Sequence, residues 1–187
     1  MPDREVKTIR HLIYYQYAKI IAKSAFGSDS KSNDYGFIKN TFRDLVKSEK
    51  KWSDIIREDK QFVQSEKKCI YCGSTESLQW EHIVPKSISI NEKCATCDKV
   101  QGIHNMIWSC EDCNNKKHTK GLYHFYKELF PEDRKFYDKI PTLLEKKYLK
   151  TVYYCHQCNG SLDSEVFDKT GRITVLNLDN FHYPCMN

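Results

Sequence analysis

Eight of the nine cysteines in this chain fall in four Cys-x-x-Cys pairs, Cys69/Cys72, Cys94/Cys97, Cys110/Cys113 and Cys155/Cys158, with Cys185 left over. No other feature restricts the fold as much. A disulfide framework would need an oxidising compartment, and the amino-terminal segment MPDREVKTIR has no apolar signal core to direct the chain to one. Disulfides also give no reason for a repeated spacing. Tetrahedral zinc does: two thiolates so spaced reach one ion at about 2.3 Å, and two pairs close a four-thiolate site. Two of the pairs carry the small or polar residues of a tight turn, in Cys69-Ile-Tyr-Cys72-Gly73 and Cys155-His-Gln-Cys158-Asn-Gly160. Four copies do not fit a thioredoxin-like redox motif.

Zinc changes the charge argument. The chain holds 30 Lys and Arg against 25 Asp and Glu, a formal surplus of +5. Each four-thiolate zinc adds about −2 net, so two sites would leave only about +1. The surplus alone therefore does not establish a nucleic-acid partner, and its location has to carry that argument. Residues 1–65 hold 13 basic against 9 acidic side chains, while residues 127–187 hold 9 of each. With 187 residues the chain fits one domain, or one with a modest appendage. Its apolar runs are far shorter than a membrane span, so a cytoplasmic protein without membrane contact is expected.

Hydrophobic periodicity divides the chain into three stretches. Residues 1–65 read as helical: an amphipathic helix over 3–26, capped by Asp3 and ended by Gly27, then helical patterns over 37–48 and 51–64. Residues 66–126 begin with a cysteine knuckle. A strand pattern from Leu78 to Val84, stopped by Pro85, and a second from Ile103 to Trp108 follow. The third knuckle then leads into a helical run over 114–130. Residues 127–187 give a helical pattern over 132–154 interrupted by Pro141, the fourth knuckle, and a hairpin around Lys169-Thr170-Gly171 that ends in Ile173–Leu178. The mixture predicts an α+β protein.

The chemistry sits in the middle stretch. In order come Cys69-x2-Cys72, Trp80-Glu81-His82-Ile83-Val84-Pro85, Asn105, and Cys110-x2-Cys113-Asn114-x2-Lys117. A neutral imidazole such as His82 can take a proton from water near pH 7, and the neighbouring carboxylate of Glu81 can hold a hard cation. Alternation along a strand points the two to opposite faces, so a bulge or strand end near Pro85 is expected to re-aim one of them. Lys116, Lys117 and Lys120 are candidate phosphate contacts or a solvated face. Asn105 also suits a turn, and Asn114 a helix cap.

Over about residues 66–126 this order closely resembles the HNH endonuclease family, in the branch whose ββα-metal core is stapled by a four-cysteine zinc. The resemblance implies His82 as general base, Glu81 and Asn114 as ligands of a catalytic Mg²⁺ or Mn²⁺, and Asn105 orienting the histidine. His118, one turn beyond Asn114, is the competing ligand. It assigns Cys69, Cys72, Cys110 and Cys113 to one structural zinc. The resemblance is silent on the other pairs: Cys94 and Cys97 with the remaining pair Cys155 and Cys158 would form a second zinc site, with Cys155, Cys158, His182 and Cys185 as the rival set. The activity implied is metal-dependent hydrolysis of double-stranded DNA, in a restriction or defence setting, with a homodimer among the allowed states. The alternative is a non-catalytic zinc-dependent nucleic-acid-binding module, which has no use for Glu81, His82 and Asn114 together.

Overall fold

Thr8 opens the first helix by accepting the His11 amide on its hydroxyl at 3.2 Å. This computed structural model describes residues 4–27, 33–48, 65–86, 102–168 and 171–179. The helix, α1, runs Ile9–Phe26 and ends at Gly27, where φ of +82° lets the amide turn back to the Lys23 carbonyl. Its start is six residues later than the expected residue 3, and Asp3 lies outside the described residues. The preceding segment pairs with the carboxy-terminal part instead: Thr8 bridges Glu165, and the Val166 amide donates to the Lys7 carbonyl at 2.9 Å. Arg10 adds a two-toothed ion pair to Asp163, at 2.8 and 2.9 Å.

The second helix, α2, runs Asn33–Val46 and lays Phe42 and Leu45 against α1. The helix expected over 51–64 lies outside the described residues. Strands β1 (Leu78–His82) and β2 (Met106–Cys110) pair antiparallel, in unbroken register from Leu78↔Cys110 to His82↔Met106. The second strand was expected from Ile103. That residue instead begins a 3-10 turn, Ile103–Asn105, held because Asn105 turns its side chain inward.

The single helix expected over 114–130 is two. Helix α3 (Glu111–Lys117) starts inside the third cysteine pair and stops at His118, whose φ is +48°. Helix α4 (Leu122–Leu129) follows Gly121. A methyl group at Gly121 would sit 1.6 Å from Asp179 Oδ2, so a bare Cα is what allows the last described residue to pack there. A second 3-10 turn, Phe136–Lys139, leads to Pro141 and helix α5, Thr142–Cys158. Gly160, with φ +71°, ends α5 late enough that Cys155 and Cys158 occupy its last turn. They do not form the expected loop knuckle. The hairpin is present as β3 (Phe167–Asp168) with β4 (Gly171–Arg172). No strand continues to Leu178: Thr174 caps a 3-10 turn over Val175–Asn177.

The fold is α+β, and one buried cluster runs through all three stretches. It joins Ile13 and Phe42, Ile83 and Ile107 of the hairpin region, Leu122, Leu144, Tyr148 and Val152, and Val166 and Leu178. Each such side chain contributes about 1.5–3 kcal/mol by leaving water. The β1–β2 pair is therefore braced by the helices on both sides of it in sequence. Among the described residues no helix is long and apolar enough to cross a membrane.

Candidate active site and metal centre

The first cysteine pair lies on a turn closed by Gly73, whose amide donates to the Cys69 carbonyl at 2.8 Å. The Ile70 amide donates to Trp108 at 3.0 Å, which fastens this turn to β2. Cys110 ends β2 and Cys113 lies in the first turn of α3. The four sulfurs of Cys69, Cys72, Cys110 and Cys113 consequently converge, all within 4.8 Å of one another. Cys72 Sγ and Cys110 Sγ are 3.7 Å apart. A tetrahedron with arms of about 2.3 Å has edges of about 3.8 Å, so the set fits zinc. Burial pushes the Cys69 thiol up, but backbone amides at Cys110, Cys72 and Tyr71 outweigh it and bring it to about 7, while Cys72 and Cys113 are pushed up, Cys113 chiefly by burial and both by the neighbouring thiols. Cys94, Cys97, His182 and Cys185 lie outside the described residues. Of that second group, Cys155 is half-buried and Cys158 exposed.

Glu81 and His82 lie on opposite faces, and no bulge re-aims either within the ladder. Glu81 points to the side covered by α3 and is 4% exposed. Its Oε1 is 2.8 Å from Lys117 Nζ, and the Tyr71 hydroxyl donates to the same oxygen at 3.3 Å. Its Oε2 is buried without a hydrogen-bond partner. The Ser109 hydroxyl, a favourable neighbour of the carboxyl, donates to the Cys110 carbonyl at 3.1 Å. Burial pushes the carboxyl above its ordinary range even though Lys117 pulls it down.

Lys117 was expected to face phosphate, and here the structure differs. Its side chain is 1% exposed, and its ammonium is shared between Glu81 and the His82 carbonyl at 3.3 Å. The helical step from Cys113 puts it on the inner face of α3. Lys120 is likewise engaged, with Glu128 and the Lys116 carbonyl, whereas Lys116 is exposed. Sequence reasoning missed Tyr71, and it misread Lys117. An amide-rich turn places Tyr71 beside Glu81, a proximity that spacing alone does not encode.

His82 is half-buried at the end of β1. Burial, then Lys86 and Lys117, push its imidazole below the ordinary value, so the neutral ring is favoured near pH 7. The backbone beyond it is clamped. Asn105, fully buried, accepts the Val84 amide at 2.9 Å and donates to the Val84 carbonyl at 3.0 Å, while its own carbonyl accepts the Ile83 amide. Lys147 of α5 holds the same 3-10 turn through the Ile103 carbonyl at 2.9 Å. These Asn105 bonds fix the segment that carries the histidine.

Asn114 is half-buried on α3, three residues before Lys117 and so on the same helical face. His118 is exposed and its Nδ1 lies 3.2 Å from the Thr119 hydroxyl. Among the described residues the four cysteines are the sole group of three or more His, Cys, Asp or Glu ligand atoms brought within reach of one ion. Glu81, His82 and His118 do not form such a group. No curated protein and no solved structure matches the chain. The family model of the HNH endonuclease matches residues 69–120, from the first zinc cysteine to just past α3. That segment is therefore similar to an HNH endonuclease domain, and it brings together four cysteines that could hold a metal ion.

Proposed function

We propose that the chain is a metal-dependent endonuclease that hydrolyses DNA phosphodiester bonds, with His82 as the general base. The observation that supports this reading best is His82 itself. Its ring is held towards the neutral form at the end of β1 where the chain leaves the strand pair, inside the matched family segment. An imidazole so placed accepts the proton of an attacking water, and departure of the 3′-oxygen leaves 5′-phosphate and 3′-hydroxyl ends. Asn105 and Lys147 are positioning residues: one ties the segment after β1 to the 3-10 turn before β2 and the other holds that turn, so both fix the end of the strand pair that carries His82. Lys116 is the exposed lysine of α3 available to a backbone phosphate.

A divalent cation fits one feature of this end of the domain. Glu81 Oε2 is an acceptor that nothing in the described residues fills. Asn114 shares the α3 face of Lys117, which touches the same carboxylate. Glu81 and Asn114 would therefore hold Mg²⁺ or Mn²⁺, with His118 as the competing donor. Such an ion supplies charge neutralisation on the phosphate. The zinc, with four thiolates and no open position, is structural.

The test is plasmid cleavage in Mg²⁺ by the purified chain beside His82→Ala. General-base loss is expected to slow cutting by about 10²–10⁴-fold while zinc content stays unchanged. A variant that cuts as fast as the parent overturns the assignment.

A further inference from the structure

The hairpin face opposite Glu81 carries an aromatic pair that hydrolysis does not use. Trp80 and Trp108 stand directly across from each other on β1 and β2, with ring centres 4.1 Å apart and planes 29° from parallel. Trp80 is 42% exposed. Lys67 Nζ lies 5.1 Å from the Trp108 ring centre, so an ammonium stands at the Trp108 end of the stack. Strand alternation puts Trp80 on the same face as His82, two residues and about 7 Å away along β1. Lys86 follows just beyond the histidine, and its charge reaches the His82 ring. The face thus runs from an ammonium through stacked indoles to His82 and a second lysine.

Stacked indoles with an exposed ring match the π-face of a nucleobase, and lysines at both ends match the phosphates on either side of it. We infer that Trp80, supported by Trp108 and Lys67, is a stacking subsite for one unpaired DNA base of the strand presented to His82. The inference rests on the nuclease reading and adds to it the form of the substrate. Paired bases inside a duplex offer no open face, so the subsite favours single-stranded or locally unpaired DNA.

The test uses the full zinc-loaded chain without added divalent cation. Fluorescence anisotropy reads its binding to a labelled single-stranded oligonucleotide and to the duplex of the same sequence. Trp80→Leu is expected to weaken single-strand binding about tenfold and duplex binding little, the usual size of one lost base–aromatic stack. Trp80→Phe is expected to keep most of the affinity. Zinc content and urea midpoint establish that each variant is folded. Equal single-strand binding by parent and Trp80→Leu overturns the subsite, as does an equal loss on both DNA forms. One arm needs no variant: a parent that binds a wholly abasic strand as tightly as the normal strand also overturns it. Plasmid cleavage by the parent is scored separately. Intact cleavage with no stacking effect removes the subsite alone, whereas a parent that neither binds nor cuts DNA removes the nuclease reading as well.

Discussion

Replacing Lys117 by Met tests the least expected contact in the domain. The Lys117 ammonium is 2.8 Å from Glu81 Oε1, and the two side chains are 1% and 4% exposed. Without it, the carboxylate keeps one hydrogen bond of 3.3 Å from Tyr71, while Oε2 has no partner. Removing one member of a buried pair costs about 3–5 kcal/mol, because the other charge stays behind. That loss carries a pH signature. Burial already holds the Glu81 carboxyl above its ordinary value of about 4.3, and loss of the lysine raises it further. A group whose folded pKa is raised stabilises the fold below its unfolded pKa and loses that contribution as pH rises through the folded one. The Lys117→Met penalty is therefore larger at pH 8 than at pH 5.5, because the raised carboxyl is protonated progressively as pH falls. Urea midpoints at both pH values, with zinc held constant, measure it. Adding Glu81→Gln should recover most of the loss at pH 8, since the double variant buries no charge. A Lys117→Met chain within 1 kcal/mol of the parent at pH 8, or one equally weakened at both pH values, would refute the buried-pair argument.

Gly121→Ala should destabilise the fold by about 1–3 kcal/mol in urea, because its methyl group would meet Asp179 Oδ2 at 1.6 Å. Asp179→Ala in the same chain should relieve part of that loss. Metal analysis should find about two zinc ions per chain, one lost in Cys113→Ser and the other in Cys155→Ser. One zinc in total would remove the second site. Brief EDTA treatment should stop cleavage without unfolding the chain, and Mg²⁺ should restore it; Glu81→Gln should stay zinc-loaded and inactive. His156 is 3% exposed between Ser161 and the Leu178 carbonyl, and burial pushes its imidazole down to about 4. It folds neutral, so its contribution is complete above pH 6.5 and falls by about 3 kcal/mol as pH drops towards 4. Glu145, raised to about 7 by burial, works in the opposite direction. The pH dependence of the difference between parent and His156→Gln isolates the histidine and should level off above pH 7.

The zinc ligands of the hairpin and helix were legible because thiolate chemistry leaves little freedom. Two Cys-x-x-Cys pairs around a strand pattern can converge in few ways, and Cys69, Cys72, Cys110 and Cys113 do converge. The fourth pair was less legible for a related reason. Spacing of i, i+3 also suits one face of a helix, and nothing before Gly160 stops α5, so the same spacing that suggests a knuckle sits on a helical turn. The run over 114–130 is apolar at helical period only from Leu122 onward, and polar residues, the lysines among them of good helix propensity, precede the break. What divides it is Gly121 receiving Asp179, a contact across more than fifty residues of sequence. Local pattern carries no trace of it.

Lys117 shows where reading side-chain chemistry alone goes wrong. A lysine beside presumed metal ligands suggests phosphate, and in sequence it is indistinguishable from Lys116, its neighbour. The helix separates them by about 100° of rotation. Lys116 faces water and Lys117 faces Glu81, so one can meet DNA and the other fixes the carboxylate. The strand divides Glu81 from His82 in the same way, by alternation. Together these two periodicities place the ion pair under the hairpin and leave Trp80 and His82 on the face above it. A carboxylate and an imidazole adjacent in sequence are thus split between the buried side of the strand pair and its other face. The support reaches the histidine through the backbone, since the Lys117 ammonium that neutralises Glu81 also holds the His82 carbonyl.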